Sequence, residues 1–151
     1  MEFRKMTSDD LEAVSELGIR SKRSWNYDSA AMSIFERELT MTEERLESLF
    51  HAEVATEAGR IIGYATVLYH EKEGITELDH LFVDPDYFGM GCGTELMVRA
   101  IDVARQSGAK ILTIICDPNA VGFYLNKGAK LAGEHQSSIA GRKIPIVEIA
   151  L

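Results

Sequence analysis

Residues 77–93 read Glu77-Leu78-Asp79-His80-Leu81-Phe82-Val83-Asp84-Pro85-Asp86-Tyr87-Phe88-Gly89-Met90-Gly91-Cys92-Gly93. A strand, a stop and a glycine-rich turn follow one another in that order. Glu77 to Val83 alternates as a strand, Asp84-Pro85-Asp86 ends it, and glycines at 89, 91 and 93 lead into a helix. Such glycines leave backbone N–H groups free of side-chain cover at the positive end of that helix, a setting that suits a phosphate or pyrophosphate. A turn that merely packs close to its neighbours would use the same residues, so the glycines alone leave both readings open.

Two known phosphate loops fail against these residues. The ATP-type loop GxxxxGK[ST] needs a lysine after its last glycine, and none follows here. The dinucleotide pattern GxGxxG needs glycine three residues beyond Gly91 or Gly93, where Thr94 and Leu96 stand.

Upstream of the loop, Phe50 to Thr56, Ile61 to His70 and Ile75 to Val83 read as strands. Ala58-Gly59 and Glu73-Gly74 turn the chain between them, so antiparallel pairing is expected. Before this meander come a short strand (Glu2 to Met6) and a helix opened by Ser8-Asp9-Asp10 that carries Leu11, Val14, Leu17 and Gly18. The break at residues 24–28 precedes a second helix with Met32, Phe35 and Leu39. A short third helix is expected from Thr40, whose spacing to Glu43 fits a capping box. Downstream, Leu96, Met97, Ala100, Ile101 and Ala104 mark one face of a helix ending near Gly108. A strand (Lys110 to Cys116), a short helix (Asn119 to Lys127) and two last strands (Ala129 to Glu134, Lys143 to Ala150) complete the chain. The order predicts one α+β domain over residues 1–151, with a mixed, mostly antiparallel sheet of about seven strands flanked by helices.

Composition narrows the function classes. The chain has 151 residues, 46% hydrophobic and 26% charged, with a net charge of −8. An acidic surface argues against nucleic acid as a partner, because phosphates call for clustered Lys and Arg. Cys92 and Cys116 lack CxxC spacing and the four histidines are dispersed, so neither a metal site nor a disulfide framework is expected. No apolar run approaches membrane-spanning length, and a cytoplasmic setting with no membrane partner is the expectation.

Two motifs together carry a family resemblance. Leu81-Phe82-Val83-Asp84-Pro85 followed by Gly91 and Gly93 is similar to the GNAT-type N-acetyltransferase signature, an Arg or Gln followed by x-x-Gly-x-Gly/Ala after a strand ending in apolar-x-Val-x-Pro. Phe88 occupies the Arg/Gln position. Asp117 to Ala129 resembles the second signature, N-x-x-A-x-x-F-Y-x-x-x-G-F. Ala120, Phe123, Tyr124 and Gly128 stand in register, Asp117 replaces the Asn and Ala129 the last Phe.

The resemblance implies an N-acetyltransferase using acetyl-CoA as acyl-donor cosubstrate. Leu81, Phe82, Val83, Phe88, Gly89, Met90, Gly91, Cys92, Gly93, Thr94, Asn119 and Tyr124 would line the cofactor site. The expected acceptor is a primary amine of a small molecule or peptide, attacking directly in a ternary complex. A non-catalytic acyl-CoA sensor and an O-acyltransferase would share every motif, and homodimers are common among similar proteins.

Acyl transfer from a thioester to an amine needs a base for the amine, a donor for the oxyanion and an acid for the departing thiolate. Tyr124 matches the family's acid, and a phenol with pKa of about 10 is protonated at neutral pH. Period-two alternation would put Glu77, Asp79, Leu81 and Val83 on one face and Leu78, His80 and Phe82 on the other. Glu77, then Asp79, are the candidate bases; solvated or salt-bridged carboxylates are the competing reading. His80 is expected to be a satisfied core histidine, Cys92 a small side chain filling a tight loop, and Asn119 a helix cap or a contact for the pantetheine arm. The resemblance places the oxyanion donor at a main-chain N–H near Val83 and the acceptor pocket near Trp25 and Tyr27 and the hairpin of residues 136–145.

Overall fold

The computed structural model describes residues 1–151. β1 (Glu2–Lys5) pairs antiparallel with β2 (His51–Glu57), which continues through β3 (Arg60–His70) and β4 (Ile75–Val83) as the expected meander. The chain then crosses through a helix to β5 (Ile111–Ile115), parallel to β4, and closes with β6 (Lys130–Gln136) and β7 (Lys143–Ala150). The sheet is seven-stranded in the order β1-β2-β3-β4-β5-β7-β6, with β4–β5 its parallel step. This is the mixed α+β architecture expected from the sequence. No helix is long and apolar enough to cross a membrane.

Five α-helices cover the sheet: α1 (Leu11–Arg23), α2 (Ser29–Leu39), α3 (Glu43–Ser48), α4 (Cys92–Gln106) and α5 (Val121–Asn126). Leu96, Met97, Ala100 and Ala104 of α4 and Tyr124 of α5 pack with Ala65, Val67, Leu78 and Leu112 in the larger core. Val14 and Leu17 of α1 pack with Val54 and Tyr64 on the other side, and Met32, Phe35 and Leu39 of α2 extend that layer. Each large side chain so buried contributes about 2 kcal/mol.

The cap of α3 differs from expectation. α3 is capped by Thr42, whose hydroxyl accepts from Arg45 N–H at 3.2 Å, and not by Thr40. Thr40 is extended at the end of α2 and bonds Glu36 O instead. Met41 between them is buried and donates its N–H to Ser15 Oγ at 2.8 Å. Burying Met41 moves the helix start past it.

A β-bulge shapes the centre of the fold. Thr66 pairs with His80 and Val67 with Leu78, so Asp79 is an extra residue in β4. The expected alternation therefore fails there. Leu78 joins the core under α4, Leu81 and Val83 pack on that same core, and Phe82 packs on the α1–α2 side. Asp79 reaches Thr66 Oγ1 and approaches Arg45 and His80, grouping it with His80 rather than with Leu81 and Val83.

Candidate active site

β4 and β5 pair only at Thr76↔Leu112 and Glu77↔Thr113, although β4 continues to Val83 and β5 to Ile115. The strands diverge beyond that point and open the sheet. Asp84 N–H still bonds Ile62 O of β3, so alternation turns the main-chain groups of Val83 and Leu81 away from β3, towards the opening. A cavity of about 1050 Å³ occupies the opening and continues between α1, α2 and the β6–β7 hairpin.

The glycine loop forms one end of this cavity. Gly91 caps α4 in the left-handed conformation, φ +87°, where a side chain would strain the backbone. None of the main-chain N–H groups of Gly89, Met90, Gly91, Cys92, Gly93 and Thr94 donates within the protein. A run of unpaired amides at a helix N-terminus suits an anion, and a pyrophosphate has the size, charge and acceptors to bond with it. These residues fit the diphosphate of a coenzyme A molecule.

Two packing details hold the cradle. A Cβ on Gly63 of β3 would lie 2.8 Å from Cys92 Sγ, so this glycine lets the start of α4 approach the sheet. Cys92 is buried, its thiol pushed up to about 11 by burial, which fits a packing role. Asp84, without exposed surface, accepts from Arg20 at 2.7 Å, Arg60 at 2.8 Å and Asp86 N–H at 3.0 Å. Burial raises its carboxyl, but the Asp86 amide and the two guanidinium groups outweigh it and hold the group below its ordinary value.

Tyr124 of α5 is buried and lines the cavity. Its ring meets Phe123 edge-on, centroids 5.2 Å apart. Its hydroxyl is neither hydrogen-bonded within the protein nor sealed from the cavity, since no buried side-chain oxygen or nitrogen lacks a partner. A local bond, the alternative for a core tyrosine, is absent. Burial, then Cys116, raises its pKa, so it carries its proton at neutral pH.

At the other side of the opening, Glu77 lines the cavity with its carboxylate 2.7 Å from His70 Nε2 and no Lys or Arg beside it. Burial raises its pKa, the His70 hydrogen bond lowers it in part, and Asp79 raises it further. Asp79 stands 3.7 Å from Arg45. His80 is buried and bonded on both ring nitrogens, to Tyr64 OH at 3.1 Å and Arg45 at 2.8 Å. The guanidinium can only donate, so Nε2 accepts and the proton sits on Nδ1. Burial pushes this histidine down to about 4, and it stays neutral. It is the satisfied core histidine expected.

The remaining candidates divide. Leu81, Phe82, Val83, Phe88 and Asn119 line the cavity, whereas Met90 projects into solvent. Asn119 is not the cap of its turn: Asp117 accepts from Asn119 N–H at 2.8 Å and fills that role. Trp25 lines the cavity but lies against Phe88, at the glycine loop. Tyr27 does not line it. Its hydroxyl donates to Asp117 at 2.6 Å and accepts from Arg142 at 2.6 Å, and burial with the Asp117 bond pushes it up to about 12. Lys22 bonds the same Asp117 oxygen at 2.6 Å. This network ties α1, the α1–α2 connection, the turn after β5 and the β6–β7 hairpin around the cavity. Sequence reasoning left out Arg45, which meets His80 across 35 residues, and His70, which meets Glu77 across the β3–β4 turn, since no local pattern marks either partner.

Residues 12–128 match the acetyltransferase (GNAT) family. An uncharacterized N-acetyltransferase of Methanocaldococcus jannaschii is 27% identical over 137 residues, 83% of this chain and 59% of the relative. The peptidyl-lysine N-acetyltransferase YjaB of Escherichia coli is 33% identical over 75 residues, 48% of each chain. The chain thus spans about half the length of the curated relatives it matches. Among solved structures, a GCN5-related N-acetyltransferase from Rhodopseudomonas palustris superposes with a TM-score of 0.83 at 22% identity, covering 99% of this chain and 95% of that one. The PaiA N-acetyltransferase of Thermoplasma acidophilum, in complex with coenzyme A, gives 0.74 at 21% identity, covering 99% and 98%. With the opened sheet, the amide cradle and the family match over most of its length, the chain belongs to the GNAT acetyltransferase family.

Proposed function

We propose that this protein is an acetyl-CoA-dependent N-acetyltransferase acting on a primary amine of a small molecule or peptide, by direct attack in a ternary complex. The observation that carries the reading is the free hydroxyl of Tyr124 in the same cavity as the unpaired amides of residues 89–94 and the Glu77 carboxylate. Relatives named as peptidyl-lysine N-acetyltransferases support an amine acceptor. The free cysteines fit a reducing, cytoplasmic compartment.

Acetyl-CoA would supply a thioester carbonyl open to attack and a thiolate leaving group. In this reading the 89–94 amides bind its diphosphate, and the main chain at Leu81 and Val83 lies along the acyl arm. Val83 N–H donates to the developing oxyanion. Glu77, raised by burial and oriented by the His70 hydrogen bond, takes the proton that the attacking amine must lose. Tyr124 protonates the departing sulfur, whose thiol pKa of about 8.5, by analogy with cysteine, lies below that of the phenol. The phenol's higher pKa makes it a hydrogen-bond donor first and a proton donor only as negative charge accumulates.

The test is a thiol-release screen with acetyl-CoA over amino acids, polyamines, aminoglycosides and lysine peptides, with products identified by mass. Acetylated amine supports the reading. Binding of acetyl-CoA without turnover over the whole panel would replace it with a sensor, and an acetyl ester as product with an O-acyltransferase.

A further inference from the structure

Trp25 and Phe88 are large aromatic side chains left 40% and 45% exposed at the mouth of the cavity. Their rings lie near parallel, 23° apart in plane, with centroids 6.5 Å from each other. A centroid separation of 6.5 Å lies within the range of an offset aromatic pair, so the two rings form one exposed aromatic surface on which a further planar ring can stack.

The position of the pair indicates what would stack on it. Phe88 immediately precedes the unpaired amides of residues 89–94. The far end of that cradle, Gly93, faces Val83 and Phe123 at the opening between β4 and β5. A diphosphate lying along the cradle therefore has one substituent directed to Val83 and Tyr124 and the other to Phe88. The acyl arm must take the first direction to reach Tyr124. The nucleoside is left facing Trp25 and Phe88.

We propose that Trp25 and Phe88 form a stacking platform for the adenine ring of the cofactor, an aromatic contact at a position where the resembled family carries Arg or Gln. The platform rests on the reading of the glycine loop as the diphosphate site. It also moves Trp25 from the acceptor side to the donor side of the cavity.

Trp25 is the only tryptophan of the chain, so its emission reports on this contact without labelling. Titration with adenosine 3′,5′-bisphosphate should quench it, and titration with acetyl-pantetheine, which lacks the adenosine, should not. By calorimetry, Phe88→Ala and Trp25→Ala should weaken CoA about ten- to hundredfold. Phe88→Tyr should keep wild-type affinity, and acetyl-pantetheine affinity should be unchanged in all three. Both rings are exposed, so the variants remain folded. Wild-type CoA affinity in both alanine variants, or quenching by acetyl-pantetheine but not by the bisphosphate, overturns the platform and leaves the cofactor assignment intact. No heat of CoA binding to the wild-type protein overturns both.

Discussion

Replacing Tyr124 by Phe separates catalysis from folding, because the hydroxyl it removes has no partner in the protein. The ring would keep its edge-on contact with Phe123 and its place in the core, so melting should move by no more than about 0.5 kcal/mol equivalent. Loss of a general acid costs about 10²- to 10⁴-fold in rate, or about 2.7 to 5.4 kcal/mol in the barrier. The assay is initial-rate thiol release at saturating acetyl-CoA and acceptor, with cofactor affinity measured separately and expected to change little. Tyr64→Phe is the internal contrast. Tyr64 is buried as well, but its oxygen is bonded to His80 Nδ1. Deleting it leaves a buried N–H unpaired and should cost about 1–3 kcal/mol of stability. Wild-type turnover in Tyr124→Phe would refute the acid assignment, and a large stability loss in that variant would refute the claim that its hydroxyl is free.

Three other outcomes test separate parts of the site. Gly91→Glu places a side chain at φ +87° and a carboxylate among the loop amides; it should strain the turn by about 1–2 kcal/mol and abolish acetyl-CoA binding in calorimetry, while normal binding would remove the loop assignment. The acidic limb of kcat/KM should lie above the range of an ordinary glutamate, because burial raises Glu77. His70→Gln should carry it higher still, since the His70 bond holds that pKa down. Asp84→Ala removes a cap to Asp86 and two half-exposed ion pairs, and should cost about 2 kcal/mol on thermal melting at neutral pH. The Asp84 carboxyl is held low in the folded state. Its contribution is therefore complete above the unfolded carboxylate pKa of about 3.9, and the gap between wild type and variant closes as pH falls below that.

Locally encoded features were legible from the chain itself. The stop at Asp84-Pro85, the glycines of the loop and the apolar stripe of α4 depend on φ preferences and on a 3.6-residue period, which act between near neighbours. The position of Tyr124 followed from two signatures standing at the proper separation. The cap of α3 did not follow, because burial of Met41 overrode a good local motif at Thr40.

What the sequence determined by itself is the glycine loop, the strand that enters it and the helix that leaves it. These are set by single-residue conformational freedom and short-range periodicity. Only the tertiary structure decided which side chains face the cavity. The bulge at Asp79 reverses the alternation of β4 and sets Asp79 beside His80, and period-two counting has no means of anticipating an inserted residue. Asp117, Lys22, Tyr27 and Arg142 meet across 90 residues or more of chain, and Trp25 meets Phe88 at the loop. Such pairings arise from the packing of distant elements, where charge and shape select partners that separation along the chain does not encode.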